Sequence, residues 1–88
     1  MSINTNKITV RYFASIREAV GQGSEPVQTP AATLGALRDE LIARGGAYSI
    51  SLARGKAVRM ALNQVLRDDA AALADGAEVA FFPPVTGG

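Results

Sequence analysis

From Lys7 onward, the stretch ITVRYF alternates in polarity: Ile8, Val10 and Tyr12 fall on one side, Thr9, Arg11 and Phe13 on the other. A period of two predicts a β-strand with one face against a core. The polar residues 1–6 ahead of it predict a loose lead-in. ASIREAVG predicts a short helical turn stopped by Gly21, and GQGSE is turn material. EPVQT predicts a second strand, which the prolines around it place at a sheet edge. A longer helix follows. Leu34, Leu37, Leu41 and Ile42 recur at helical spacing behind Thr33 as N-cap, and Gly45-Gly46 predicts its end. Glu40 and Arg44 are placed for an i,i+4 pair on the solvent side. Gly35 costs about 1 kcal/mol against alanine inside a helix, which points to close packing at that spot.

Tyr48, Ile50 and Leu52 predict either a covering loop or a short turn of helix. VRMALNQVL reads as a strand with Val58, Met60 and Leu62 on one face, a tight turn at Asn63-Gln64, and a short return. RDDAAALADGAE is a connection with a turn at Asp75-Gly76. AEVAFF is the last strand, with Val79 and Phe81 on one side, Ala80 and Phe82 on the other. One mixed sheet of about five strands with one main helix on one face makes an α+β fold. The expected organisation is a single domain over residues 1–82 and a projecting tail over 83–88.

This patterning leaves Phe13 and Phe82 pointing away from the core. If the first and last strands are neighbours, the two rings form one patch, and Leu66 after the turn can join it. Burying one such side chain is worth about 1.5–3 kcal/mol, so several left outside suggest a covering partner. The bland alternative is that scattered exposed apolar residues are ordinary. Arg11, Arg59 and Arg67 lie on or near the same outward side, as a solvated rim or as a set that orients a partner.

Composition narrows the chemistry by what it lacks. The 88 residues contain no Cys and no His. Disulfides, thiolate nucleophiles, Cys metal sites and Ser-His-Asp catalysis are therefore excluded. A hydrophobic fraction of 48% supports a core, and the formal net charge of +1 gives no case for nucleic acid. No apolar run approaches a membrane span and the start MSINTNK is no signal peptide, so the expectation is cytoplasmic residence with no membrane. GQG at 21–23 lacks the context of a phosphate loop. Asp68-Asp69 has no further ligands at calcium-loop spacing, so a solvated turn and no metal site are expected. Asp39 and Glu40 splay apart on the helix, and Lys56 is most simply a hairpin-turn lysine.

The chain's own end remains. Pro83-Pro84 stiffens the exit from the last strand, and Val85, Thr86, Gly87 and Gly88 follow. From Pro83 the six residues can reach about 20 Å. Glycines without Cβ can thread a channel too narrow for side chains. A terminal carboxylate is a poor electrophile, so to react it must be activated inside another protein's ATP site.

EVAFFPPVTGG at 78–88, with ITVRYFASIREAVG at 8–21, TLGALRDEL at 33–41 and ALNQVL at 61–66, resembles the family of molybdopterin synthase small subunits, over nearly the whole chain and in order. The resemblance implies a β-grasp, ubiquitin-like fold with the first and last strands side by side. It implies a sulfur carrier with no catalytic site of its own and no bound cofactor. In that family an activating enzyme related to those that charge ubiquitin consumes ATP to adenylate the terminal glycine, which then becomes a thiocarboxylate. The tail enters the large subunit and gives sulfur to cyclic pyranopterin monophosphate, in a heterotetramer of two small and two large subunits. By position, Gly88 carries the adenylate and thiocarboxylate, Gly87 is its slim neighbour, and Phe13, Leu66 and Phe82 are the apolar contacts to both partners. Residues 45–57 receive no role. Alternatives are a carrier for thiazole or tungsten-pterin synthesis, a ubiquitin-like protein modifier, and a plain interaction domain with an idle tail.

Overall fold

The computed structural model describes residues 5–84. Strand β1 (Asn6–Tyr12) leads through α1 (Ala14–Val20) to β2 (Ser24–Thr29), then α2 (Leu34–Ile42), α3 (Gly46–Ser51), β3 (Arg59–Leu62), β4 (Val65–Arg67) and β5 (Glu78–Phe82). The sheet order is β2-β1-β5-β3-β4. β1 and β5 run parallel at the centre, and the other pairings are antiparallel. This is the mixed five-stranded sheet of a β-grasp fold, with its helices on one face. Asn6 belongs to β1 rather than to a lead-in, because it pairs with Thr29.

The two-residue period of β1 and β5 builds the core. Val10 pairs with Val79 and Tyr12 with Phe81, and none of the four is more than 1% exposed. Leu34, Leu37 and Leu41 of α2 close over them and are fully buried. Thr33 caps α2 as expected, its Oγ1 accepting from the Ala36 amide at 3.2 Å. The amides of Leu34 and Gly35 donate to the carbonyls of Ala71 and Asp69, both at 3.0 Å, so the 68–77 connection satisfies the start of the helix. That approach explains Gly35: a Cβ there would lie 2.9 Å from the Asp69 Cβ.

The helix ends at Ile42, short of the glycine pair, and Gly45 instead leads into α3 with φ 78°. Arg44 therefore lies beyond α2 and makes no i,i+4 pair with Glu40. It reaches Glu25 of β2 at 2.9 Å, while Glu40 accepts from the Thr29 hydroxyl at 2.6 Å. Glu25 also accepts from the hydroxyls of Tyr12 and Tyr48, each at 2.7 Å, tying β1, β2 and α3 together. Burial pushes the Glu25 carboxyl up, but the bonds from Tyr48, Tyr12 and Arg44, with the charge of Arg44, outweigh it and hold the group below the ordinary glutamate value. For Tyr12, burial and the hydrogen bond to Glu25 both push the phenol up.

A second cluster joins α2 to the loops. Arg54 donates to Asp39 at 2.9 Å, Asp69 at 2.6 Å and the Gly35 carbonyl at 2.9 Å. Asp69 is thus a structural partner and not merely a solvated turn residue. Lys56 lies in the α3–β3 loop, outside any hairpin.

The two sheet edges differ. The Tyr12 amide donates to the Gly23 carbonyl, so by alternation Pro26 occupies a position of β2 whose N–H would face away from β1. Its missing donor costs the ladder nothing and blunts the open edge. At the other edge β4 is only three residues long. The β3–β4 turn holds Asn63 at φ 50° and Gln64 at φ 70°. Asn63 is pinned by its amide donating to the Glu78 carbonyl at 2.8 Å and its Oδ1 accepting from the Glu78 amide at 2.9 Å.

Candidate functional site

The register that buries one face of the sheet also composes the other. Arg11 stands opposite Ala80, Ala80 opposite Ala61, and Ala61 opposite Leu66, which makes one outward row across four strands. Next to it, Phe82 stands opposite Arg59. Two alanines at the middle of the row leave the surface low, and larger side chains surround them. The result is an open depression of about 750 Å³ lined chiefly by Phe13, Ala61, Ala80, Phe82, Pro83 and Pro84.

Phe13 keeps the outward side that its alternation predicts, in an extended conformation with φ −127° and ψ 154°. β1 ends at Tyr12, and Phe13 is the N-cap of α1. Its amide still donates to the Phe81 carbonyl at 3.1 Å, and its own carbonyl accepts from Ile16 and Arg17. Ala14 then adopts φ 51°, in the left-handed region that non-glycine residues seldom occupy. The ring is 39% exposed. The Arg11 guanidinium lies 5.2 Å from the ring centroid and 3.6 Å from the Glu78 carboxylate, so it is shared between an aromatic face and an acid.

Leu66 is 59% exposed and lies beyond Ala61, where it borders a neighbouring cavity of about 760 Å³ together with Arg59 and Arg67. Arg67 stands opposite Met60, whose side chain is in the core, so the register turns it to the other face from Arg11 and Arg59. The expectation of one outward arginine set thus holds for two of the three. Ala61, Ala80, Gln64 and Glu78 are lining residues that sequence reasoning missed. Ala80 shares the outward parity of Phe82, which places it on this face, but its meeting with Ala61 depends on the β3–β5 register.

β5 ends as the chain enters Pro83-Pro84, neither of which has an N–H to continue a ladder. Both prolines are half-buried and line the depression. Val85, Thr86, Gly87 and Gly88 lie outside the described residues. Among the described residues, no group of three or more His, Cys, Asp or Glu side chains is placed to hold a metal ion. No described helix is long and apolar enough to cross a membrane. The face has the means for binding: an apolar floor, aromatic walls, and a charged rim beside the exit of the chain end.

The model of the ThiS family matches residues 10–88, a span that includes β1 from Val10, every residue lining the depression and the terminal Gly-Gly. The chain belongs to the ThiS family. Among relatives, it is 43% identical over 81 residues to the molybdopterin synthase sulfur carrier subunit of Escherichia coli, covering 92% of this chain and 99% of that one. Among solved structures, the Haloferax volcanii HVO 2177 protein superimposes with a TM-score of 0.76 at 32% identity, over 96% of this chain and 88% of that one. A chain in the complex of subunits 1 and 2 of molybdopterin-converting factor from Helicobacter pylori superimposes with a TM-score of 0.65 at 29% identity, over 93% and 99%. The chain is thus a ubiquitin-like β-grasp protein homologous to molybdopterin synthase sulfur carriers, and those homologues are carrier subunits rather than enzymes.

Proposed function

We propose that this chain is the sulfur carrier subunit of a molybdopterin synthase, and that its reactive group is the carboxyl carbon of Gly88. The observation that supports it most is the position of the chain exit. The last strand delivers Pro83-Pro84 at the border of an exposed apolar depression, so a protein that covers the depression also receives the tail. In the proposed cycle the Gly88 carboxylate attacks the α-phosphate of ATP on an activating enzyme and releases pyrophosphate. A sulfur nucleophile then displaces AMP and leaves a thiocarboxylate. The large subunit takes up the tail, the thiocarboxylate sulfur forms its bond to cyclic pyranopterin monophosphate, and water then cleaves the acyl C–S bond and returns the Gly88 carboxylate. Phe13, Leu66 and Phe82 hold the partner, Arg11 and Arg59 orient it, and two carriers and two large subunits make the assembly. The absence of cysteine is consistent with this, since the chain end itself carries the sulfur.

Intact-mass measurement tests the reading. Incubation with the activating enzyme, ATP and a sulfur source is expected to add about 16 Da, one oxygen exchanged for sulfur. Removal of Gly88 is expected to abolish the gain, and an unchanged yield from the truncated chain overturns the proposal. Capture of the large partner separates this pathway from thiazole or tungsten-pterin synthesis. Higher-mass conjugates to lysine would instead identify a protein modifier.

A further inference from the structure

Pro83 borders two hollows. One is the outer-face depression; the other is a smaller groove of about 290 Å³ between α1 and α3, walled by Ile16, Ala19, Ile50 and Val58. At 63%, Ile50 is the most exposed large apolar side chain among the described residues, ahead of Leu66, Val65 and Phe13. Its neighbours on the same segment behave otherwise: Leu52 is fully buried and Tyr48 packs against the core. Nothing in the backbone of α3 requires an isoleucine at that outward position, where a polar residue would avoid exposed apolar surface.

Lys56 also borders this groove. The loop that carries it is fixed from beneath by Arg38, which is only 6% exposed. Arg38 donates to the carbonyls of Leu52 and Ala53, each at 2.7 Å, and of Lys56 at 3.3 Å. A buried guanidinium is a costly way to hold a surface loop, and its effect is to keep the Lys56 backbone in one place. The Lys56 ammonium makes no ion pair among the described residues, although its side chain is exposed beside an apolar wall.

We infer that the α1–α3 groove is a second contact surface for the large-subunit partner that receives the tail, and that this partner presents an apolar side chain to Ile50 and a carboxylate to Lys56. The inference rests on the proposed function. A pocket deep enough to admit a chain end has walls on more than one side of it. Because Pro83 belongs to both hollows, a protein that surrounds this residue meets the outer depression and the groove together. The contacts implied for Phe13, Leu66 and Phe82 secure only one side of the exit; Ile50 and Lys56 would secure the other.

Titration calorimetry of the full chain against the purified large subunit and, separately, against the activating enzyme, at low and at physiological salt, tests this. Ile50→Asp is expected to weaken binding about tenfold. Lys56→Glu is expected to weaken it about three- to tenfold at low salt and by less as salt rises. Both positions are exposed, so thermal unfolding should match the parent; Ile50→Ser provides a milder variant with the same expected direction. Unchanged affinity in these variants, while Phe82→Asp abolishes binding, overturns the groove alone. A loss confined to the activating enzyme overturns the choice of partner. If Phe82→Asp and removal of Gly88 also leave both complexes intact, the proposed function falls with it.

Discussion

Phe81 and Phe82 are consecutive, share a strand and have the same side chain, yet they do different work. Phe81 has no exposed surface, stacks on Tyr12 with ring centroids 6.3 Å apart, and belongs to the same buried cluster as Leu34, Leu37 and Leu41. Phe82, one pleat later, stands opposite Arg59 at the margin of a depression floored by two alanines. The inner face is filled by large side chains from both layers, and the outer face is built low at its middle and high at its border. Residue type is therefore a poor guide to role here; what separates the two rings is which side of the sheet the helices cover.

Substitutions on the two faces should separate stability from binding. The largest effect is expected at Phe81: truncation to alanine removes about 3–5 kcal/mol, comparable to the whole stability of a small domain, and Phe81→Asp should leave no cooperative unfolding transition in circular dichroism. Phe82→Asp should keep that transition but weaken the large-subunit complex a hundredfold or more, about 2.7 kcal/mol or greater by calorimetry. Unfolding of the Phe82 variant would erase the distinction between the faces.

A smaller effect tests how the covered side is tied together. Glu25→Gln removes the charge that accepts from Tyr12, Tyr48 and Arg44, and denaturant titration should show a loss of about 1.5–3 kcal/mol near neutral pH. Its sign with pH follows from the lowered carboxyl. The folded chain holds the ionised form better than the unfolded chain does, so this contribution is complete above the unfolded glutamate value, about pH 4.3, and disappears as pH falls through the folded one. The parent should thus lose its advantage over Glu25→Gln in acid; a constant difference across that range would contradict the network. The smallest effect is expected on the outer face at Gln64, held at φ 70°. Gln64→Gly should raise stability by about 1 kcal/mol at most, seen as a rise in Tm, with large-subunit affinity nearly unchanged.

Much of the covered side was legible in the chain. The Leu34-Leu37-Leu41 stripe, the Thr33 cap, the crowding at Gly35 and the alternation of β1 and β5 all follow from local periodicity and from what backbone N–H groups require. Arg38 shows where such reading stopped. It lies four residues after Leu34 and three before Leu41, on the apolar stripe itself, yet its three acceptors come from the 52–56 loop. Arg44 makes the same point: an i,i+4 pair is worth only about 0.2–0.5 kcal/mol, and the partner it takes is a glutamate of β2.

By itself the order of side chains determined which residues of each strand share a face, where α2 begins, and that no cysteine or histidine chemistry is available. Those properties depend on neighbours a few residues apart and on composition. Only the tertiary structure decided that Arg67 turns away from Arg11 and Arg59, that Ala61 and Ala80 meet to lower the outer face, and that Pro83 joins two hollows. Each of these depends on which strands are adjacent and in what register, and a shift of one residue in that register exchanges every inward side chain for an outward one.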